Sequence, residues 1–473
     1  MFRVAFFIAL LCLFIWPRTF FISISGTGVS PFTISAVFML IFALYLLATN
    51  RSVQSRVTVS LQSGTVAAVL TLLFWGWRFL SDIFGVNSGT SLKADSLELF
   101  YFGSWFVIGM IMFTEEGSSK TLQRVLTITI IVASLVALFE AVTSQSILTA
   151  LGADNVMAGD AYRTNLATTI TERDGAARLK SLFSHPIVFG SMMGALAPFA
   201  IHRFIHRSGA GLVTAIFLAI SVVVSITLAN ARTSYVVVAV SMAAYAILYT
   251  VNLKRFSGIM IGTLLIVAAP LYVPAAILQV NEISSGRNTD ESRSTQARAA
   301  QTNMAISAAS TRLISGYGTG MALDVAGIQP EGRTFKTIDN YYLNMLVDYG
   351  YFGLAAFAAL LVSYILLGVS AIHAASSPSD RSLLCVAVSA ICGLSASFFA
   401  VSINDALSWI FLLAGFIIAR KGSERLNVRS SFFVEQIQRR RAAASQAPSA
   451  IPAATPLGAS PRHDGVEFYN YDE

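Results

Sequence analysis

The chain has 473 residues, of which 55% are hydrophobic and only 12% charged, and its formal net charge is +7. A soluble domain carries about 25% charged residues, so half that share excludes an ordinary soluble globular protein. The positive balance does not call for nucleic acid, and none is expected as a partner, because basic residues of a membrane protein gather in its cytoplasmic connections and set its orientation.

Twelve apolar segments follow one another along the chain, at about 4–16, 32–48, 64–80, 97–113, 122–142, 186–205, 211–229, 234–251, 258–278, 351–372, 383–401 and 406–419. The first is short, and Arg3 precedes it as in a signal peptide. Pro17-Arg18 follows where a small-residue cleavage site would stand, so it reads as an uncleaved first span. Cys12, Cys385 and Cys392 all fall inside apolar segments, which leaves packing as their reading and no disulfide framework.

Loop charge tests the count. With the N-terminus inside, the inner connections carry Arg51 and Arg56, Lys120 and Arg124, Arg203 and Arg207, Lys254 and Arg255, Arg381, then Arg420 and Lys421. Every inner loop is then basic, as the positive-inside rule requires, and both termini are cytoplasmic. The expected fold is an all-α integral membrane protein of about twelve transmembrane helices, with a large, partly helical outer loop between helices 9 and 10. Its parts are membrane helices 1–5 (1–142), an outer loop (143–185), helices 6–9 (186–280), the large loop (281–350), helices 10–12 (351–420) and a cytoplasmic tail (421–473). Within that tail, residues 432–441 read as a short amphipathic helix on anionic inner-leaflet lipid, followed by a disordered Ala-, Ser- and Pro-rich stretch.

The large loop, roughly 70 residues where most connections have about 4–6, is too long to be a mere link and is expected to carry the chemistry. It holds a helix-like run from Gln296 to Leu313, a glycine turn with Gly316, Gly318 and Gly320, and the close Thr337-Ile338-Asp339-Asn340-Tyr341-Tyr342-Leu343. The glycines read as a tight turn that lets backbone approach a ligand. Together with residues 143–185 and the hairpin Asn230–Thr233, this surface has nine arginines against two lysines. That imbalance favours planar, bidentate recognition of phosphate or carboxylate. No Asp-x-Asp pair, His-x-x-x-His or Walker run supplies a metal for that task, so no metal and no cofactor is expected, and a diphosphate would have to be met by arginines. Arg232 sits where a positive charge opposes the orientation, which asks either for a ligand or for snorkelling to headgroups. Arg298 and Arg312, about 40° apart around a helix and roughly 21 Å apart along it, could share a face but not one diphosphate. If Arg298 holds the ligand, Arg312 orders the loop, meets a sugar or is a solvated face. Asp339-Asn340 reads either as a helix cap or as a carboxylate base for a sugar hydroxyl. His185 before Pro186 is either an interfacial residue or a hydrogen-bonding partner for phosphate or sugar beside Arg178. Glu140 and Asp405 read either as sugar contacts or as solvated charges at span ends, with the second preferred, and the spans themselves as nearly free of charge.

These residues resemble a known pattern. Arg178-Leu179-Lys180-Ser181-Leu182-Phe183-Ser184-His185-Pro186 with Gly190, the hairpin Leu228–Ser234, the run from Arg298 to Gly320, and Ile338–Leu343 with Gly350 and Gly353 are similar, in that order, to the motifs of the O-antigen ligase and polysaccharide polymerase superfamily. The resemblance covers about residues 170–420. Asn230-Ala231 and Thr233 depart from the family's hairpin, Leu313-Ile314-Ser315 replaces its usual proline, and Asp339 stands where ligases have a histidine. The resemblance implies glycosyl transfer from an undecaprenyl diphosphate-linked glycan at the periplasmic face of the bacterial inner membrane. It carries a diphosphate-holding role over to Arg232, Arg298 and Arg178. Asp339, Asn340 and His185 are then the catalytic candidates, and Arg312, Gly316, Gly318 and Gly320 support the loop. Asp339 in place of histidine tilts the expectation toward polymerisation of exopolysaccharide or O-antigen repeat units rather than ligation. Expected partners are the lipid-linked glycan, inner-membrane lipid, a chain-length regulator and a flippase. A glycan ligase is the runner-up within the class. A lipid-linked oligosaccharide transporter is the rival from another class, and would place ionisable groups in the middle of broken helices.

Overall fold

The computed structural model describes residues 2–15, 22–24, 27–115, 117–150, 170–173, 176–206, 211–253, 289–329, 336–400, 402 and 404–446. The elements, in order, are α1 (Phe2–Ile15), a hairpin of β1 (Ile22–Ile24) and β2 (Thr27–Val29), α2 (Pro31–Thr49), α3 (Arg51–Ser63), α4 (Thr65–Ile83), α5 (Ser88–Glu98), a π-turn (Leu99–Gly103), α6 (Ser104–Met112), α7 (Ser118–Thr143) and α8 (Ile147–Ala150). A second hairpin of β3 (Thr171–Arg173) and β4 (Ala176–Arg178) leads to α9 (Pro186–Ala195), α10 (Ala197–Ile205), α11 (Gly211–Ala229) and α12 (Arg232–Leu253). Then come α13 (Thr289–Thr311), α14 (Ala322–Ala326), α15 (Tyr341–Ala374), α16 (Pro378–Ser397) and α17 (Asp405–Gln446). Each hairpin pairs three residues with three, antiparallel, so the architecture is all-α with two short β excursions.

Among the described residues, nine helical stretches are long and apolar enough to cross a membrane, and they coincide with nine of the twelve segments read from the sequence. The remaining three fare differently. The first segment is α1, a helix of only 14 residues. The fourth is composite, with α5, the π-turn and α6 running on from Ser88 to Met112. The ninth, 258–278, lies outside the described residues, as do Arg207, Lys254 and Arg255.

Apolar side chains cover both the inside and the outside of these helices. Phe74, Trp105, Phe189, Tyr364 and Trp409 are buried at the centre, while Ile34, Phe38, Ile41, Leu72, Val213 and Ile220 are exposed. An exposed apolar face on helix after helix is what lipid requires, since hydrocarbon, unlike water, does not penalise it. The protein is thus a multi-pass membrane protein. The buried middle is filled largely by α16 and the first half of α17, whose Trp409, Phe411 and Phe416 are all enclosed.

The chain divides into two units, Met1–Leu426 and Asn427–Glu473. In the second, helix continues to Gln446, past the 432–441 stretch singled out in the sequence; residues 447–473 lie outside the described residues.

One expected boundary is corrected. The tenth span was placed at 351–372, yet α15 begins at Tyr341 and runs 34 residues. Its course is interrupted at Gly350, which adopts φ 69° and ψ −173°, so a nine-residue half-helix, Tyr341–Tyr349, precedes the apolar part. The hydropathy pattern missed it because Asn344 and Asp348 dilute its apolar content. Its Tyr341, Met345 and Tyr349 enter the main core of the bundle, while Val347 enters the small loop cluster described next.

In the first unit, side-chain and backbone bonds separate two ends of the bundle. One joins the C-terminal end of α4, the start of α15, the α16–α17 connection and the segment 178–185. The other holds Arg56 against Thr114 (3.1 Å), Arg420 against Asp380 (2.6 Å) and Ser376 against Glu424 (2.8 Å). The described basic residues assigned to inner connections gather at this second end, and the candidate site lies at the first.

Candidate functional site

The glycine turn between α13 and α14 is shaped by what surrounds it. Gly316, Gly318 and Gly320 all take positive φ, at 64°, 100° and 82°. A side chain at Gly316 would run into the backbone of Asp348, and one at Gly350 into the backbone of Ile314. The turn therefore presses against the break in α15, with Tyr317 N donating to Val347 O (3.0 Å), Gly318 N to Asp348 O (2.8 Å) and Tyr351 N to Leu313 O (2.8 Å). At Gly316 and Gly318 the close neighbours are Asp348 backbone and Ser91 with Gly85, whereas Gly320 faces open space.

Beside this turn lies a small apolar cluster of Ala305 from α13, Ala322 and Ala326 from α14, Ile338, and Val347 from α15. It carries the site. Gln301, buried on α13, reaches the segment before α15 with both ends of its amide. Its Nε2 donates to Thr337 O (3.0 Å), and its Oε1 accepts from Asp339 N (3.2 Å). Arg298 sits one helical turn earlier. The amide clamp thereby brings Arg298 Nε to 3.9 Å from the Asp339 carboxylate, with both side chains about half exposed (53% and 46%).

The choice between capping and chemistry at Asp339-Asn340 is divided between the two residues. Asn340 is the cap, its Oδ1 accepting from Tyr342 N (2.9 Å) and Leu343 N (3.3 Å). Asp339 stands one position ahead, and its carboxylate faces Arg298 instead of the helix amides. The expectation that Arg298 and Arg312 share a helix face is corrected. Helix α13 ends at Thr311, and Arg312 turns away to stack over Tyr317 (5.4 Å) and to donate to Phe84 O (3.0 Å). Arg312 thus bridges the glycine turn and the C-terminal end of α4.

A second group stands at the same end of the bundle. Leu179 N donates to Leu228 O (3.1 Å), which docks the end of β4, and with it Arg178, onto the last turn of α11 just before the Asn230–Thr233 hairpin. Arg232 is half-buried at the first position of α12. Gly190 makes this possible, because a side chain there would overlap Ser234, so α9 packs directly on the first turn of α12. His185 caps α9, its Nδ1 accepting from Ile187 N (3.2 Å). Ser184 next to it donates to Asp405 (2.8 Å) at the start of α17.

Glu140 and Asp405 are not the solvated loop-end charges expected. Glu140 is fully buried at the end of α7 and accepts from Ser181 N (2.8 Å), while Ser181 Oγ donates to Ala133 O (2.7 Å). Lys180 lies nearby and is buried as well, which pushes its ammonium down to about 8 against the pull of Glu140. The segment 178–185 is thus anchored from below by α7 and from the side by α17.

Arg78, inside the segment read as 64–80, is completely buried, as are Asp82 at the end of α4 and Asp95 on α5, which belong to the polar interval 81–96 between two segments. The Arg78 guanidinium is 2.5 Å from both Asp95 and Glu98, and it lies over the rings of Trp75 (4.6 Å) and Tyr349 (4.8 Å). Aromatic faces supply part of what water would give a buried cation. Glu98 in turn accepts from Asn404 Nδ2 (2.9 Å). Burial holds Asp95 up at about 7, opposed by Arg78 and assisted by the neighbouring Asp82 and Glu98 carboxylates. The i, i+4 spacing of Arg78 and Asp82, and the i, i+3 spacing of Asp95 and Glu98, were the available sequence signals. At the opposite end, His202 and His206 have the His-x-x-x-His spacing of metal sites, but His202 Nδ1 is engaged by Ser382 (2.9 Å) and its ring stacks on Phe199. Arg163, Arg287 and Arg333 lie outside the described residues.

Fold and site together define a helical membrane protein that gathers arginines and carboxylates around one loop at one end of its bundle. Residues 215–358 match the family model described as O-Antigen ligase. That segment contains Arg232, Arg298, Arg312, the three turn glycines, Asp339 and Asn340; Arg178 and His185 fall before it. The match supports the resemblance to the O-antigen ligase and polymerase superfamily read from the motifs, over about a third of the chain. No curated protein matches the chain.

Proposed function

We propose that this protein polymerises undecaprenyl diphosphate-linked oligosaccharide repeat units into exopolysaccharide or O-antigen at the periplasmic face of the inner membrane. The observation that carries the reading is the Arg298–Asp339 pair, a cation and a carboxylate set side by side by Gln301 and left half open.

The chemistry needs three things. The acceptor hydroxyl attacks the anomeric carbon of the donor, the bond from that carbon to the diphosphate oxygen breaks, and the hydroxyl proton is taken up by a base. Lipid diphosphate departs as an anion. Guanidinium groups preorganised where that negative charge develops lower the barrier without reorganising at the moment of reaction. Arg298 and Arg232 fill this role, with Arg178 beside the Arg232 hairpin. Asp339, outside the helix cap, receives the proton from the acceptor hydroxyl, and holding both groups on one clamped segment supplies the positioning. His185 is bound to its own helix start and serves to orient the donor.

A glycan ligase is the second reading, favoured by the description of the matched family. Cells carrying Arg232→Ala or Asp339→Ala separate the two. Loss of polymerisation leaves single repeat units on the lipid carrier, whereas loss of ligation leaves long polymer unattached. A transport defect would strand units on the cytoplasmic side. Long polymer of normal length and amount from Arg232→Ala cells would remove the mechanism.

A further inference from the structure

The helix pair α4–α5 lies outside the matched segment, yet it grips the loop that bears Arg298 and Asp339. Two fully buried carboxylates take the glycine turn from opposite sides. Asp82, on the last turn of α4, accepts from Thr319 N (2.7 Å) and Thr319 Oγ1 (2.9 Å). Asp348, on the half-helix of α15, accepts from Gly320 N (3.1 Å) and Ala322 N (2.7 Å). Tyr349 Oη adds a bond to Thr319 Oγ1 (2.8 Å), and Ser91 Oγ on α5 donates to Thr319 O (3.1 Å). Val86 N donates to Tyr317 O (2.9 Å).

A surface loop has no need of two buried carboxyl groups to hold it. Burying a carboxylate is costly unless its lone pairs are met, and here backbone amides of the turn meet them. The arrangement ties Thr319, Gly320 and Ala322 to α4 and to α15 at once. Ala322 belongs to the small apolar cluster that also contains Ala305 and Ile338, so the clamp fixes the whole layer bearing Arg298 and Asp339.

Two kinds of order therefore act on the site. Gln301 sets Arg298 against Asp339 within the layer. Asp82 and Asp348 set the layer against the membrane bundle, where Arg232 and Arg178 are held. We propose that Asp82 and Asp348 are positioning residues for the lipid diphosphate site, acting through the Gly318–Ala322 turn on Arg298. This rests on the reading of Arg298 as a diphosphate ligand. If two arginines on separately held parts grip one diphosphate, loosening either part weakens the grip while leaving Arg298 and Asp339 adjacent.

The test uses the full-length protein in detergent, titrated with undecaprenyl diphosphate. Arg298→Ala is expected to weaken binding at least tenfold. Asp82→Ala is expected to weaken it roughly tenfold, since misplacement of about 1 Å already costs as much as 10²-fold in well-ordered sites. Asp82→Asn retains one oxygen for Thr319 N and is expected to recover most of the loss, which a general packing defect would not do. A second readout is tryptic cleavage after Arg312, which becomes faster in Asp82→Ala as the turn is released. If Asp82→Ala cannot be recovered folded, Asp348→Asn and Ser91→Ala replace it, with losses of about threefold to tenfold expected from one or two missing bonds. Wild-type affinity and wild-type trypsin resistance in the clamp variants, beside weakened binding in Arg298→Ala, would overturn this inference alone. Unchanged binding in Arg298→Ala would instead overturn the diphosphate reading on which it rests.

Discussion

Two ion pairs at the same end of the bundle use the same chemistry to opposite ends. Arg298 and Asp339 are half exposed and 3.9 Å apart; Arg78 and Asp95 are wholly enclosed and 2.5 Å apart. An open, long pair contributes between nothing and about 1 kcal/mol to stability, so its residues are free to exchange each other for a ligand. The enclosed pair has no such freedom, because a charge left alone inside is far more costly than the pair itself. Availability for chemistry and indispensability to the fold are thus read from burial and separation, not from residue type.

The sharpest way to break the contrast is to delete one arginine from each pair. Arg78→Ala leaves Asp95 enclosed without its cation and is expected to cost about 3–5 kcal/mol, seen as a large fall in the yield of folded protein and in thermal midpoint. Arg298→Ala should leave that midpoint within the change allowed for a surface pair while abolishing polymer formation. Equal midpoints for the two variants would end the distinction.

Acidity offers a second handle of intermediate size. Burial holds Asp95 up at about 7, where an ordinary aspartate titrates at about 4. Between these values the folded chain keeps a proton that the unfolded chain has lost, so stability falls as pH rises from about 4 to about 7 and levels off above. A thermal-midpoint series over that window should show the decline in the wild type and a shallower one in Asp95→Asn, where Asp348, also raised by burial, still contributes.

The smallest effect belongs to Arg312, which stacks on Tyr317 and reaches Phe84 O. Arg312→Lys keeps the charge but loses the planar stack, a change of about 0.5–1 kcal/mol. A fall of a few degrees or less in the midpoint, with undecaprenyl diphosphate binding within about twofold of wild type, would assign Arg312 to loop order. A tenfold loss of binding would make it a ligand after all.

Much of this was legible in the sequence where one residue's surroundings follow from its neighbours in the chain. Span length gave the helices, and the glycine spacing gave the turn. Asp339-Asn340 before an aromatic run pointed to a helix cap, though not to Asn340 as the cap and Asp339 as the partner of Arg298. What escaped depended on distant partners. Glu140 looked like a solvated end charge because its partner, Ser181 N, comes 41 residues later. The half-helix Tyr341–Tyr349 hid because its polar Asp348 satisfies the glycine turn instead of water. Arg78 hid inside an apolar span for the same reason, since hydropathy scores a residue singly and cannot see the carboxylates and rings that receive it.

Gln301 grips only peptide groups, the carbonyl at 337 and the amide at 339, and never the side chain displayed between them and the ligand. The socket is therefore indifferent to the tool it holds. An imidazole set at 339 would be presented from the same place by the same two bonds, so the side chain at this position can change without rebuilding the frame.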